Sequence, residues 1–156
     1  IRRTMRIREG DPLEIYTDND GQVIFKKYSP IGELSAFAGQ YAEVLSKTAG
    51  YPVIVCDRDH VISVAGVPKK ELIERRVSPA LEEMMEQRGS LAVDGKKMQP
   101  VEGVDRYALA QAPIVAAGDV CGSLMFLAGD SPAPATETEI KLIQAGASFL
   151  GRQMEE

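Results

Sequence analysis

Two short runs with the pattern of β-strands lie near the start of the chain. In Leu13–Thr17 apolar and polar residues alternate, which is the period of a half-buried strand. The second run, Val23–Lys27, begins with three apolar residues, so we expect both of its faces to be covered. Residues 18–21 between them end in Asp-Gly, which suits a hairpin turn because glycine adopts positive φ at little cost. The pattern predicts a β-hairpin.

A helical period replaces this alternation after residue 30 and continues to residue 49. The apolar and small residues that share one broad face of this helix are Leu34, Phe37, Ala38, Tyr41, Leu45 and Thr48. Gly50 supplies a C-terminal stop, and Pro52 cannot continue a helix. Two shorter helices are predicted further on, over 71–75 and over 80–88. The second of these follows a Ser-Pro pair that is typical of a helix N-terminus.

Runs rich in apolar residues predict the strands of an antiparallel sheet. These runs are 52–56, 61–65, a short one at 91–93, 107–116 and 120–127. The run 120–127 is the most apolar of them, so we expect it to be the central strand.

The last predicted element is a helix that begins at a capping box formed by Thr136 and Glu139. Its apolar stripe, at spacings of three and four, is Ile140, Ile143, Ala147, Leu150 and Met154, with Leu142, Ala145 and Phe149 beside it. A helix apolar this far round should bury against more than its own sheet, so we expect it to pack beside the 31–49 helix and to form a dimer bundle. The order of elements predicts an α+β fold with an antiparallel sheet flanked by helices.

Composition is that of an ordinary globular protein, with 44% apolar and 26% charged residues among 156. No apolar run approaches the length that spans a bilayer, so we expect a cytoplasmic protein without a membrane partner. Cys56 and Cys121 both lie in apolar runs. Free buried thiols in a reducing compartment are therefore favoured over a disulfide.

Charge divides unevenly along the chain, whose total is −5. Residues 1–30 carry a net charge of +1 and residues 31–156 carry −6. Four arginines fall within the first eight residues: Arg2, Arg3, Arg6 and Arg8. From the residues alone, the favoured interpretation is a solvated cluster paired with Glu9 and Asp11. Contact with DNA phosphates is the alternative.

Motifs for catalysis or metal binding are missing from the sequence. The single histidine, His60, is predicted to be a surface turn residue, and no paired His or Cys spacing accompanies it. No glycine-rich phosphate loop and no serine-nucleophile motif is present, so we expect neither a cofactor nor an enzyme. Met84, Met85 and Met98 are predicted to fill a core rather than to line a ligand pocket, and no ligand-binding residue is singled out.

Residues 1–30 are too few to bury a core of their own. We therefore expect this segment to pair with a second copy of itself or with residues upstream of Ile1. The first residue is not methionine, which suggests that a preceding strand is missing.

The opening segment carries a pattern that points to one family. Its elements are Ile1-Arg2-Arg3, Ile7, Gly10-Asp11, Leu13-Glu14, Asp20-Gly21 and Lys26-Lys27-Tyr28. This pattern resembles the second half of an AbrB-like swapped-hairpin DNA-binding domain, without the family's first strand. The resemblance implies that two chains interleave their hairpins into one small barrel and that Arg2 and Arg3 contact DNA. Arg6 stands where relatives carry glycine, so no role is carried over to it.

The whole chain resembles sporulation regulators in which a GAF domain follows the AbrB-like domain. The resemblance implies a partial DNA-binding and dimerisation hairpin in 1–30 and a GAF-like sensor and oligomerisation domain in 31–156. The expected function is sequence-specific regulation of forespore genes. The expected partners are double-stranded DNA, further copies of the chain in a dimer of dimers, and a small-molecule effector of unknown identity. The alternative is a ligand-binding or assembly module whose hairpin serves only dimerisation.

Overall fold

The chain divides into two units, Ile1–Pro30 and Ile31–Glu156. The computed structural model describes residues 13–17, 21–27, 34–88, 91–92, 98–129 and 134–155. In the first unit strand β1 (Leu13–Thr17) pairs antiparallel with β2 (Val23–Lys27), and Ile15 lies opposite Phe25. Gly21, just before β2, has a φ of 82°. The predicted hairpin strands are confirmed.

The second unit is built on a five-stranded sheet in the order β4-β3-β7-β6-β5, with every neighbouring pair antiparallel. Its strands are β3 (Val53–Asp57), β4 (Val61–Ala65), β5 (Leu91–Ala92), β6 (Ala108–Ala116) and β7 (Asp119–Leu127). Strand β7 is third of the five and is buried from residue 122 to residue 127, which confirms its predicted central place.

Helices cover both faces of this sheet. They are α1 (Ser35–Ala49), α2 (Pro79–Glu86) and α3 (Glu137–Glu155). One core lies between the sheet and the pair α1 and α3, where Val55, Phe126 and Leu150 are buried together. A second core, with Ile54 and Met125, lies on the opposite face under α2. The predicted α+β class, an antiparallel sheet flanked by helices, is confirmed.

The buried side of α1 differs from the predicted face. Ala38 and Leu45 are buried as expected, but Ala42 and Ser46 complete the buried side, while Phe37 and Thr48 are exposed. A helix that packs closely on a sheet faces it with small residues, and the larger side chains then lie on the side of the helix. Apolar periodicity alone does not distinguish these two sides, because both are apolar in this helix.

The helix predicted over 71–75 is wrong. Only a 3-10 turn, Lys69–Glu71, forms there, and Glu74 has a φ of 64°. The backbone after this turn forms hydrogen bonds with two segments distant in sequence. The N–H of Glu74 donates to the Val61 carbonyl at 2.9 Å, and the N–H of Ser78 donates to the Pro100 carbonyl at 2.8 Å. Pairing with residues distant in sequence therefore replaces the helical bonds.

Both predicted helix starts are confirmed. Ser78 precedes α2, and its Oγ accepts a hydrogen bond from the Leu81 N–H at 3.1 Å. At the start of α3 the Thr136 N–H donates to Glu139 Oε1 at 3.1 Å, and its hydroxyl donates to Oε2 at 2.6 Å. These two bonds lower the pKa of the Glu139 carboxyl, the hydroxyl donor contributing most. The capping carboxylate is thus held in its charged form.

Candidate functional site

The arginines predicted to contact DNA, Arg2 and Arg3, lie outside the described residues. The described part of the first unit is the β1–β2 hairpin, whose register runs from Leu13 opposite Lys27 to Thr17 opposite Val23. The role of Arg2 and Arg3 as DNA contacts therefore stays a prediction.

An exposed apolar surface lies where α1 and α3 run beside each other. We call it the aromatic face and define it by Phe37, Tyr41 and Val44 of α1 and Phe149 of α3. The exposed fractions are 37% for Phe37, 64% for Val44 and 41% for Phe149. On α1 these residues follow one another at spacings of four and three, so they form a single stripe flanking the buried side.

Ring contacts join the two helices across this face. The Phe149 ring centroid lies 5.6 Å from that of Tyr41 and 5.9 Å from that of Phe37, both in tilted arrangements. These separations are typical of favourable aromatic pairs. The predicted packing of the last helix beside the first is therefore confirmed. The stripe of α3 that faces the sheet also matches the prediction, with Ile143, Ala147 and Leu150 buried.

A buried polar pair lies on the α2 face of the sheet, in the adjacent strands β6 and β7. Gln111 on β6 is 1% exposed and Ser123 on β7 is fully buried. The Gln111 Nε2 group donates to Ser123 Oγ at 2.8 Å, and that hydroxyl donates to the Ala112 carbonyl at 3.4 Å. The described part of the chain supplies no hydrogen-bond partner for the Gln111 Oε1 atom. The sequence indicates this pair only through Gln111, which is a lone amide within an apolar strand.

The cysteines and the histidine do not form a reactive or metal-binding centre within the described ranges. Both Cys56 and Cys121 are free thiols, and no group of three or more metal-ligating side chains occurs there. Burial, with a smaller contribution from the Asp57 charge, raises the pKa of the Cys56 thiol far above its usual range. Cys56 therefore stays protonated, which makes it a poor nucleophile.

Met85 and Met98 belong to the core under α2, and Met84 packs against it, as the core-filling prediction required. Among the described residues, no helix is both long enough and apolar enough to cross a membrane.

The fold of the second unit is that of a GAF domain. The GAF domain of PixJ from Thermosynechococcus elongatus, in its blue-light absorbing form, superposes with a TM-score of 0.61 at 16% identity. The match covers 83% of this chain and 89% of that one. A GAF domain/HD domain protein from Geobacter sulfurreducens gives a TM-score of 0.60 at 17% identity, over 81% of this chain and 97% of that one. At such identities the likeness establishes the fold.

Sequence similarity identifies the family. Residues 33–155 match the family model described as stage V sporulation protein T C-terminal, transcription factor, and the chain belongs to this family. The chain is also 47% identical to the stage V sporulation protein T of Bacillus subtilis (strain 168), over 100% of this chain and 88% of that protein. The chain is accordingly a transcription regulator of sporulation, in a family of transcription factors rather than of enzymes.

Proposed function

We propose that this regulator binds double-stranded DNA through its N-terminal unit and that the GAF domain assembles dimers into a dimer of dimers. The observation that carries the proposal is the 47% identity to a sporulation protein, because the match covers the whole chain and so includes the basic opening segment. A shared family model over the second unit alone would say nothing about that segment.

Charge supports the N-terminal unit as the DNA-binding part. Residues 1–30 hold the net positive charge of a chain that is otherwise acidic. Arg2 and Arg3 carry planar guanidinium groups that suit both phosphate oxygens and guanine edges. Repulsion between the acidic second unit and DNA would disfavour binding by the wrong surface.

The DNA contact is tested by a salt series. Binding of the full chain to a labelled mixed-sequence duplex is followed by fluorescence anisotropy, for the wild type and for the Arg2→Ala/Arg3→Ala double variant. Each lost phosphate contact should reduce the slope of log K against log salt by roughly one, so we expect a reduction of about two per chain. Lys69→Ala/Lys70→Ala is the control, because it removes two exposed cations from the second unit.

An unchanged slope in the arginine variant would remove Arg2 and Arg3 from the DNA contact. Absence of any DNA affinity at low salt in the wild type would favour the alternative, an assembly or ligand-binding module whose hairpin serves only dimerisation.

The aromatic face supports assembly by the second unit. Phe37, Val44 and Phe149 together present large apolar side chains to solvent, and contiguous patches of this kind on a helix pair are typical of protein interfaces. We infer that a second copy of the same face covers it, so that two α1–α3 pairs form a four-helix bundle. The hairpin supplies the other interface of the dimer of dimers.

The assembly is tested by light scattering on the full chain. Val44→Glu/Phe149→Glu places charges in the aromatic face, and we expect the mass of the particle to fall by half, leaving the dimer held by the hairpin. Ala36→Glu adds a charge to an exposed α1 position outside the aromatic face and should leave the mass unchanged. Retention of the wild-type mass by the double variant would rule out this interface.

A small-molecule effector completes the proposal. A ligand changes the balance between two arrangements of a regulator only by its difference in affinity for them. Such an effector would therefore have to contact an element that differs between the DNA-competent and the inactive arrangement. We infer that helix α1 is this element, because it is the first helix after the DNA-binding unit in the order of described elements.

A further inference from the structure

A cleft of about 520 Å³ lies beside the first residue of α1, at the end of the β3–β4 hairpin. Its polar lining comes from Ser35, Asp57, His60 and Glu74, and its apolar lining includes Ile62 and Ile73. This volume is within the range of small-molecule sites in proteins. The aromatic face and the Gln111–Ser123 pair contribute no residue to it.

Backbone hydrogen bonds fix the polar walls of the cleft. Asp57 Oδ1 accepts the N–H groups of Asp59 and His60, each at 2.7 Å, so the carboxylate is anchored to its own turn. At Glu74, the backbone N–H donates to the Val61 carbonyl and the Arg75 carbonyl accepts from the Val61 N–H, both at 2.9 Å. These bonds fix the Asp57 carboxylate and the backbone at Glu74, which reduces the ordering cost of binding.

The lining chemistry selects the class of ligand. Two carboxylates, Asp57 and Glu74, favour a cation, while Ile62 and Ile73 favour an aliphatic portion beside it. No group of three or more metal-ligating side chains occurs among the described residues, so we do not propose a metal site in this cleft. A molecule with a cationic group at each end of an aliphatic chain would use both carboxylates and both isoleucines.

We propose that this cleft binds a small organic cation, an aliphatic amine or guanidine, with its charged ends at Asp57 and Glu74 and its methylene groups against Ile62 and Ile73. Because Ser35 begins α1, the bound molecule lies against the element that follows the DNA-binding unit. That regulatory consequence rests on the proposed function, whereas the binding itself does not.

Methyl NMR of the full chain tests the binding, with agmatine as the probe because it carries a guanidinium and an ammonium on one aliphatic chain. We expect agmatine to shift the δ1-methyl signals of Ile62 and Ile73, and to leave those of the buried Ile54 and Ile143 in place. Butanol and butyrate, of similar length but neutral or anionic, should produce no saturable shift.

The variant Asp57→Asn/Glu74→Gln removes both charges and keeps an oxygen at residue 57 to accept its two N–H groups. We expect agmatine to bind roughly tenfold more weakly to it, as two partly exposed ion pairs would give. Glu86→Gln removes an exposed charge on α2 and is the matched control. Unchanged Ile54 and Ile143 signals report that the variant is folded.

Agmatine titration without a response at Ile62 and Ile73 would overturn the proposal. Equal affinity of the wild type and the charge-removed variant, or equal binding of butanol, would do the same. The salt series with DNA contains no amine, and the NMR titration contains no DNA. A failure of the cation-binding proposal and a failure of the DNA-binding proposal are therefore seen in separate experiments.

Discussion

Two helical glycines allow the packing of the second unit to be tested, because the same substitution is expected to stabilise the fold at one of them and not at the other. Gly151 in α3 is buried against β6, and a Cβ atom there would overlap the carbonyl oxygen of Val115 and lie 3.1 Å from its carbon. Gly39 in α1 is only partly buried. A Cβ atom there would meet Ser63 Oγ at 3.7 Å, an ordinary contact.

The magnitudes follow from these contacts. In a helix interior alanine is favoured over glycine by about 1 kcal/mol, so Gly39→Ala should raise the free energy of unfolding by roughly 0.5–1 kcal/mol. Gly151→Ala has the same gain, but the obstructing atoms belong to the backbone of β6 and cannot rotate away. Moving α3 off the sheet costs about 1–3 kcal/mol, which cancels or exceeds the gain. We expect the two variants to differ by about 1–3 kcal/mol.

Urea unfolding measures this difference at one fixed protomer concentration, because an oligomer's stability depends on concentration. Gly39→Ala should shift the midpoint to higher urea, and Gly151→Ala should not. A Gly151→Ala protein as stable as Gly39→Ala would refute the close approach of α3 to Val115.

Three further predictions concern hydrogen bonds. Ser123→Ala removes the partner of the Gln111 amide and should lower the free energy of unfolding in urea by about 1–3 kcal/mol. The double variant Gln111→Met/Ser123→Ala should recover most of this loss. Equal stability of the single and the double variant would contradict the pairing. Ser78→Ala should cost about 1 kcal/mol and Ser78→Thr much less, and no difference in unfolding midpoint would rule out the cap. Because the pKa of Glu139 is lowered in the folded chain, its bonds to Thr136 stabilise the fold above the usual carboxyl pKa of 4.5 and are lost as pH falls below it. The difference in unfolding free energy between the wild type and Glu139→Gln should therefore shrink as the pH falls below 4.5. The change should be small, because the carboxyl group is exposed. A difference that stays constant with pH would exclude a stabilising role for the Glu139 carboxylate.

Sequence and structure agree best where a signal is local. The capping box of α3, the Ser-Pro start of α2 and the strand β1 were each predicted from neighbours within a few residues, and each appears where it was predicted. The apolar run of β7 was also sufficient to predict its central place, because a strand covered on both faces is apolar along most of its length.

Long-range pairing decided the rest. Whether Phe37 or Ala42 faced the sheet depended on how closely α1 approached it. The segment after Glu71 is not helical because Val61 and Pro100 offer it backbone partners. The cleft brings together Ser35, Asp57 and Glu74, and the polar pair joins two strands, so no single stretch of sequence contains either. The sequence by itself determined most of the strands and helices, the segment 71–75 excepted, and which family the chain resembles. The tertiary structure alone decided which side chains meet, because such contacts depend on the free energy of packing between elements distant along the chain.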